Sequence, residues 1–465
     1  MTDFSALLKA DKGQAAQTIH VVDAKSWDGW KAGQPQARRD MLDAIRFDGK
    51  TVFQFAILQG RTAGEFEVVT CVGDAGTLGP WCLAKLGDAL PAGHYRVEGA
   101  KIGAAPLGWM LAQHRFTRYK SNKDDREARI LLTSDPAEID TMVKQAAATA
   151  MVRDLVDTPA ADMGPAELEA EARALAKAHH AAVEVTQGDA LSQGYPMIAA
   201  VGGGAARGRE PRLIELMWGK DSDPRVAIVG KGVCFDSGGL DIKPASGMRL
   251  MKKDMGGAAH ALALARLVME HRLPVRLHLL IPAVENSVSA NAFRPGDVLR
   301  SRNGITVEVD NTDAEGRLVL GDAIDKASDD QPELLIDFAT LTGAARVALG
   351  PDLPALFVND EELASDFIAV AGDAHDPVWR MPLWDGYDDM LKSDVADMAN
   401  SGDSPMAGAV TAALFLRRFV PDSLPWAHLD TFAWHPSASP GRPKGGEALG
   451  LRAAFALLEA RYRNN

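Results

Sequence analysis

The chain has 465 residues, of which 46% are hydrophobic and 24% are charged, and it carries a formal net charge of −13. This length and apolar content predict two domains and enough material for a large core. The acidic balance disfavours a general binder of nucleic acid or of anionic membranes, since both require clustered positive charge.

Residues 1–135 predict a small α/β domain. Its alternating segments indicate strands at Thr51–Leu58 and Glu65–Cys71, and its helical candidates are Asp40–Arg46 and Pro80–Leu90. Apolar residues at helical spacing then predict a connecting helix over residues 136–157.

Residues 158–465 predict a second, larger domain in which strands and helices alternate. Strands are expected at Val183–Thr186, Arg212–Trp218, Arg225–Val229, Val275–Val284, Thr306–Val309 and Pro332–Ala339. Helices are expected at Pro165–Lys177, Gly256–His271, Leu318–Ala327 and Met406–Phe419. This alternation predicts an α/β fold with a mixed, largely parallel sheet sandwiched by helices.

The run Asn-Thr-Asp-Ala-Glu-Gly-Arg-Leu at 311–318 places two carboxylates and a guanidinium directly after one of these strands. On extended or looped backbone, Asp313 and Glu315 can point to one side, where they repel each other unless a cation lies between them. A metal cluster would provide that cation.

A second polar segment, Lys231–Gly239, also follows a predicted strand, and Lys243 and Asp254 lie shortly after it. Asp236, Asp254, Asp313 and Glu315 together supply four carboxylates. Hard oxygen ligands in this number suit Zn²⁺, Mn²⁺ or Mg²⁺, and bridging carboxylates suit a pair of ions. The segments follow strands, and the carboxyl ends of strands are where open α/β sheets bind ligands.

These motifs resemble the leucyl aminopeptidase family, whose signature octapeptide is present at 311–318 without a change. The resemblance covers residues 153 to about 430. It includes Val156–Pro159, Met251–Gly257, Arg294–Asp297, Ala339–Gly343 and Trp426–Asp430. It implies a metal-dependent aminopeptidase that removes the N-terminal residue from peptides with a free N-terminus, with residues 158–465 as the catalytic domain.

The resemblance also implies the ligand set for two divalent ions, Zn²⁺ or Mn²⁺. The tightly held ion would be bound by Lys231, Asp236, Asp254 and Glu315, and the more exchangeable one by Asp236, Asp313 and Glu315. A lysine ligand must be neutral, and an adjacent dication together with desolvation lowers its pKa.

Catalytic roles remain for two cations in these motifs. Lys243 is free to stabilise the oxyanion, whereas every carboxylate is used as a ligand and none is spare as a general base. The resemblance implies that Arg317 holds a bicarbonate that shuttles the proton, for which a planar guanidinium is well suited. It further implies a substrate pocket at Met251, Thr340 and Gly343, and a homohexamer.

Two positions depart from the family's pattern. Lys253 stands where an aromatic residue is common, and it could add positive charge near the site. The segment Phe432–Gly450 also differs, and this region normally completes the side-chain pocket.

Each motif residue taken alone has a structural explanation, since an Asp-x-Glu pair is usually a solvated turn. Only their joint order favours the metal site. For Asp157, Asp297, Asp394 and His428 we predict capping, hydrogen bonding or packing. Two other functions stay open, namely a dinuclear phosphoesterase and a regulatory DNA-binding role, although the acidic charge disfavours the second.

Location follows from cysteine usage and hydropathy. Cys71, Cys82 and Cys234 cannot form a paired framework, which favours a reducing compartment. Residues 1–20 lack a basic segment followed by an apolar one, and no apolar run approaches the ~18 to 20 residues that span a bilayer. We therefore expect a soluble, cytoplasmic protein.

Overall fold

The computed structural model describes residues 2–60, 64–121, 126–402 and 404–463. The chain divides into two compact units. The first contains residues 1–150 and 437–444, and the second contains residues 151–436 and 445–465. Among the described residues, no helix is long and apolar enough to cross a membrane.

The first unit is built on a six-stranded sheet. Its strands are β1 (Leu8–Ala10), β2 (Gln17–Val22), β3 (Phe55–Gln59), β4 (Phe66–Cys71), β5 (Gly93–Glu98) and β6 (Arg129–Thr133). Its helices are α1 (Trp27–Ala32), α2 (Gln36–Ala44), α3 (Ala84–Ala89) and α4 (Ala105–Leu111). The strand order is β1-β6-β5-β2-β4-β3, and β3 alone among these strands pairs antiparallel. Tyr95 and Trp109 lie in its core.

The predicted strand at Thr51–Leu58 begins too early. Residues 51–53 form a turn in which Phe53 adopts a positive φ of 67°, and β3 begins at Phe55. Four strands of this sheet, β1, β2, β5 and β6, were not predicted. Of these, β1 has only three residues, and β2 lacks strict alternation of buried and exposed residues.

The second unit begins within a long helix and contains the larger sheet. Its helices are α5 (Ile139–Asp157), α6 (Pro165–His179), α7 (Gly188–Gly194), α8 (Pro196–Gly202), α9 (Ala245–Met248), α10 (Gly256–Glu270), α11 (Glu315–Ser328), α12 (Gly343–Leu349), α13 (Glu361–Asp373), α14 (Gly408–Arg417) and α15 (Leu451–Tyr462). Its strands are β7 (Ala182–Gln187), β8 (Arg212–Trp218), β9 (Arg225–Gly230), β10 (Gly232–Asp236), β11 (Arg276–Asn286), β12 (Val298–Arg300), β13 (Thr306–Glu308), β14 (Leu334–Ala339), β15 (Ala355–Val358), β16 (Trp379–Arg380), β17 (Met398–Ala399), β18 (Trp426–Asp430), β19 (Trp434–His435) and β20 (Gly445–Gly446).

The predicted α/β class with a mixed sheet is confirmed. The main sheet runs β16-β15-β18-β14-β9-β11-β8-β7, with β10 paired to β11. On one face, Ala227 and Val229 of β9 pack in a core with α8, α11 and α14. Alternation along β9 turns Val226 and Ile228 to the opposite face, and α10 also packs against this strand.

Five neighbouring strands of this sheet, β18, β14, β9, β11 and β10, are mutually parallel. Their carboxyl ends therefore meet at one edge. Lys231 follows β9, Asp236 ends β10, Asn286 ends β11, Thr340 follows β14 and Asp430 ends β18. The sheet thus brings polar residues from five separate parts of the sequence to a single edge.

Candidate metal centre

A cavity of about 610 Å³ opens at this edge of the sheet. All ten residues that the sequence assigned to metal, catalysis or substrate pocket line it. They are Lys231, Asp236, Lys243, Met251, Asp254, Asp313, Glu315, Arg317, Thr340 and Gly343.

Lys231 lies at the centre of one half of the cluster. It connects β9 directly to β10, and its backbone N–H donates to the Phe338 carbonyl at 2.9 Å. Its Nζ lies 2.8 Å from Asp254 Oδ2 and 3.0 Å from Glu315 Oε1. Gly316 makes this approach possible, because a Cβ there would lie 2.5 Å from Lys231 Cε.

Lys243 joins the other half of the cluster. Its Nζ lies 2.7 Å from Asp236 Oδ2 and also pairs with Asp313. The prediction from the sequence was that Lys243 is a free cation, whereas the structure places it between two of the proposed ligands. Carboxylate oxygens of Asp236, Asp313 and Glu315 lie within 4.8 Å of one another, which is the spacing of a shared cation site.

Burial controls the electrostatics of the cluster. It raises the pKa of Glu315 to about 8, and the charge of Asp236 adds to this effect. Burial, and after it the charge of Asp236, likewise raises the pKa of Asp313 to about 6. Burial by itself would lower the pKa of Lys231, but the charges of Asp254, Glu315 and Asp236 outweigh it and raise that pKa. The cluster therefore lacks positive charge relative to its carboxylates.

One carboxylate oxygen of the cluster, Glu315 Oε2, is buried and accepts no hydrogen bond from the described residues, since that carboxylate contacts Lys231 through Oε1. Asp254 Oδ2 and Asp313 Oδ1 are buried too, and each faces a lysine Nζ that competes with a metal ion for it. Buried carboxylate oxygens without a donor are costly unless a cation satisfies them. Oxygen donors of this kind, facing one cavity, fit a divalent metal ion.

The carboxylates are held in place by hydrogen bonds that the sequence did not predict. Asn286 Nδ2 donates to Asp236 Oδ1 at 2.9 Å and to the Thr312 carbonyl at 3.0 Å. Thr340 Oγ1 donates to Asp254 Oδ1 at 2.7 Å. Asn286 had one usable signal, since it is a polar residue at the end of an apolar strand.

Arg317 lies in the first turn of α11, and burial lowers its pKa to about 10. One edge of its guanidinium is fixed, because Nη1 donates to the Asn400 carbonyl at 2.7 Å. Its Nε is buried and donates to no described residue. A small planar anion would satisfy this donor.

The predicted substrate pocket forms a further wall of the cavity. Met251 is half-buried, Thr340 is buried and Gly343 begins α12. Lys253, Arg346 and Phe432 also line this cavity.

Three of the residues predicted to be structural make hydrogen bonds. His428 pairs with Asp337 Oδ1 at 2.6 Å, in the sheet. Asp157 Oδ1 accepts from the Gly446 N–H at 2.8 Å, and Asp297 Oδ2 accepts from the Arg294 N–H at 2.9 Å. None of the three lines the cavity.

An α/β sheet that gathers four carboxylates and two lysines at its carboxyl edge has the arrangement of a metal-dependent hydrolase. Comparison with known proteins defines the class further. Residues 150–455 match the catalytic domain of the cytosol aminopeptidase family, and residues 18–133 match the M17 aminopeptidase N-terminal domain.

Individual relatives agree with these matches. A probable cytosol aminopeptidase of Sinorhizobium medicae is 36% identical, over 97% of each chain. One from Syntrophotalea carbinolica is 42% identical, over 76% of this chain and 73% of the relative.

Solved structures show the same fold. The cytosol aminopeptidase of Coxiella burnetii superposes with a TM-score of 0.92 at 43% identity, covering 98% of this chain and 99% of that one. The bottromycin maturation enzyme BotP, solved in complex with Mn, superposes with a TM-score of 0.86 at 31% identity. That match covers 96% of this chain and 100% of BotP.

The chain therefore belongs to the cytosol aminopeptidase family, the leucyl aminopeptidases indicated by its octapeptide. It is a metal-dependent aminopeptidase, a hydrolase that acts on peptides.

The Asn286 contacts generate a prediction about metal retention. Asn286→Ala removes the side-chain amide that donates to Asp236 Oδ1 and leaves only the Gly238 N–H there, so we expect the enzyme to bind its metal roughly 10- to 100-fold more weakly. Competition of purified protein against a metal chelator measures this change. Asn291→Ala, at an exposed loop position, is the matched control. Equal metal affinity in Asn286→Ala and the parent would show that Asp236 does not depend on this contact.

Proposed function

We propose that the enzyme removes the N-terminal residue from peptides at a pair of divalent ions, Zn²⁺ or Mn²⁺, held by the cluster. The observation that carries the proposal is the convergence of Asp236, Asp313 and Glu315 oxygens within 4.8 Å. Lys231 and Asp254, paired at 2.8 Å, would complete the ligand set. Bound ions would polarise the scissile carbonyl, anchor the free α-amine and acidify a water molecule.

Lys231 has to release a proton to act as a ligand, because an ammonium group has no lone pair to donate. Its position supports the role of a ligand, because Nζ is buried and lies within 3.0 Å of two carboxylates that would share the same ion. The charges of these carboxylates favour the protonated amine, so a dication would have to take the place of the proton. Asp236 and Glu315 would serve both ions, whereas Asp254 and Asp313 would each serve one.

Lys243 would stabilise the negative oxygen that develops when water attacks the scissile carbonyl. Its side chain is 15% exposed and faces the cavity beside Asp236 and Asp313. If these carboxylates held metal ions, they would pair less strongly with the ammonium group, which could then donate to the substrate oxygen.

Arg317 would position the general base. Its guanidinium is anchored at Nη1 by Asn400 and presents a buried, unsatisfied Nε. A bicarbonate gripped there would supply the proton acceptor that the ligand carboxylates cannot.

We also propose a homohexamer and a cytoplasmic location. Trp379, Trp384 and Val395 are exposed on the second unit, and apolar side chains of this size support self-association. The three cysteines form no disulfide, in agreement with a reducing compartment.

Metal dependence and the free N-terminus can be tested together. Chelation should abolish release of N-terminal residues, and added Zn²⁺ or Mn²⁺ should restore it. N-acetylated peptides should not be cleaved, because a blocked amine cannot bind metal. Equal turnover of acetylated and free peptides would contradict the proposal, and hydrolysis of a phosphate ester instead would favour a phosphoesterase.

Arg317 and Lys243 should affect the reaction through different steps. Arg317→Ala should lose roughly 10²- to 10⁴-fold in kcat and its response to added bicarbonate, as expected for a lost proton shuttle. Lys243→Ala should lose a comparable factor and keep that response.

Arg317→Lys is the matched control, because it keeps the charge and removes the planar fork. It should resemble Arg317→Ala in its bicarbonate response. If Arg317→Ala is as active as the parent in bicarbonate-depleted buffer, the proton shuttle lies elsewhere. Metal content measured on each variant separates loss of chemistry from loss of ions.

A further inference from the structure

One wall of the cavity carries two cations that the proposed mechanism does not use. Lys253 and Arg346 both contact the Phe432 ring. Lys253 Nζ is 5.0 Å and Arg346 Cζ is 4.9 Å from the centre of that ring, and all three residues line the cavity. Phe432 thereby holds both cations at one part of the wall.

Neither side chain forms a hydrogen bond or ion pair with a carboxylate among the described residues, although Lys253 is only 5% exposed. A buried lysine without a carboxylate partner is uncommon, because burying a charge is costly unless it is paired. Arg346 is exposed and keeps its charge at any working pH.

The two carboxylates whose charges act on Lys253, Asp254 and Asp430, already have other partners. Asp430 accepts hydrogen bonds from the Leu341 and Thr342 N–H groups at 3.0 and 3.2 Å and from Thr342 Oγ1 at 2.6 Å. Asp254 pairs with Lys231 and accepts from Thr340 Oγ1. Both cations therefore remain available to a group that enters the cavity.

The wall that carries them is the one assigned to the substrate side chain. Lys253 lies two residues after Met251 on the same turn of 3₁₀ helix, and Arg346 lies one turn after Gly343 on α12. A carboxylate at the end of the N-terminal residue's side chain would meet donors from both elements. A leucine side chain would instead bring apolar surface against two cations and gain less from burial.

We propose that Lys253 and Arg346 are specificity-determining residues that select peptides with an acidic N-terminal residue. This inference rests on the proposed aminopeptidase function and names its substrate class. Arg346 supplies charge-assisted donors, and Lys253 offers N–H donors in either protonation state. Phe432 contributes by positioning both.

The test compares kcat/KM for coumarin amides of glutamate, glutamine and leucine with metal-loaded enzyme. Glutamate and glutamine have nearly the same shape, so their ratio isolates the carboxylate. We expect the parent to prefer glutamate by about 10-fold or more, and Arg346→Met and Lys253→Met each to lower the ratio by about 10-fold. A ratio cancels any loss of turnover shared by both substrates.

Arg346→Met is the decisive variant, because an exposed arginine can be replaced without disturbing the core. Lys392→Met, an exposed lysine outside the cavity, is the matched control and should keep the parent ratio. A parent ratio at or below one, or a ratio unchanged in Arg346→Met, would overturn the inference.

Further results distinguish this inference from the proposed aminopeptidase function and from binding of a peptide's C-terminal carboxylate. If leucine and glutamine amides are cleaved while glutamate is not preferred, the substrate class is wrong and the aminopeptidase function stands. If no amide is cleaved, the proposed function itself fails. Comparing Leu-Gly with Leu-Gly amide detects a C-terminal carboxylate at these cations. Discrimination between those two that is lost in Arg346→Met, with an unchanged Glu/Gln ratio, would also overturn the inference.

Discussion

The catalytic unit is organised around mutual repulsion between buried carboxylates. Oxygens of Asp236, Asp313 and Glu315 converge within 4.8 Å, and Asp254 faces the same cavity. Two like charges at such a distance repel by about 3 to 4 kcal/mol at an effective dielectric constant near 20. Lys231 and Lys243 offset part of this repulsion, but two ammonium groups do not balance four carboxylates. The remaining deficit suits divalent cations, and their Lewis acidity is what peptide hydrolysis needs.

The fold holds these charges together by giving each one a rigid support. Five parallel strands end at one edge of the sheet, so Lys231, Asp236 and Asn286 are fixed by backbone pairing rather than by flexible loops. Close approach also depends on glycine. Gly238 has a φ of 87°, and a Cβ there would lie 3.0 Å from Asp313 Oδ1. A larger residue at Gly238 or Gly316 would push apart groups that the chemistry needs side by side.

The site could be predicted from the sequence because its residues cluster in short, ordered motifs. Asp313 and Glu315 are two residues apart, and the segment containing Lys231 and Asp236 directly follows a recognisable apolar strand. Two helices that flank the site, α10 and α11, were also predicted, because they follow long apolar periodicity, although α11 begins three residues earlier than expected, at Glu315. That shift matters, because it places Glu315 and Arg317 on a helix rather than in a loop.

What the sequence could not provide is contact between distant segments. Asn286 meets Asp236 across 50 residues, and Arg346 meets Phe432 across four intervening strands and two helices. Nothing in local periodicity marks such pairs, because each depends on which strands become neighbours. The sequence likewise did not predict that Lys243 pairs with Asp236 and Asp313, because these contacts depend on which strands meet at the edge of the sheet.

The central claim is that one carboxylate cluster holds a pair of ions. Its most direct test is the metal content per chain of three purified variants. If Asp236 and Glu315 bridge, Asp236→Ala and Glu315→Ala should lose most of both ions, whereas Asp313→Ala should keep about one. Retention of two ions per chain by Glu315→Ala would contradict the shared cluster described here.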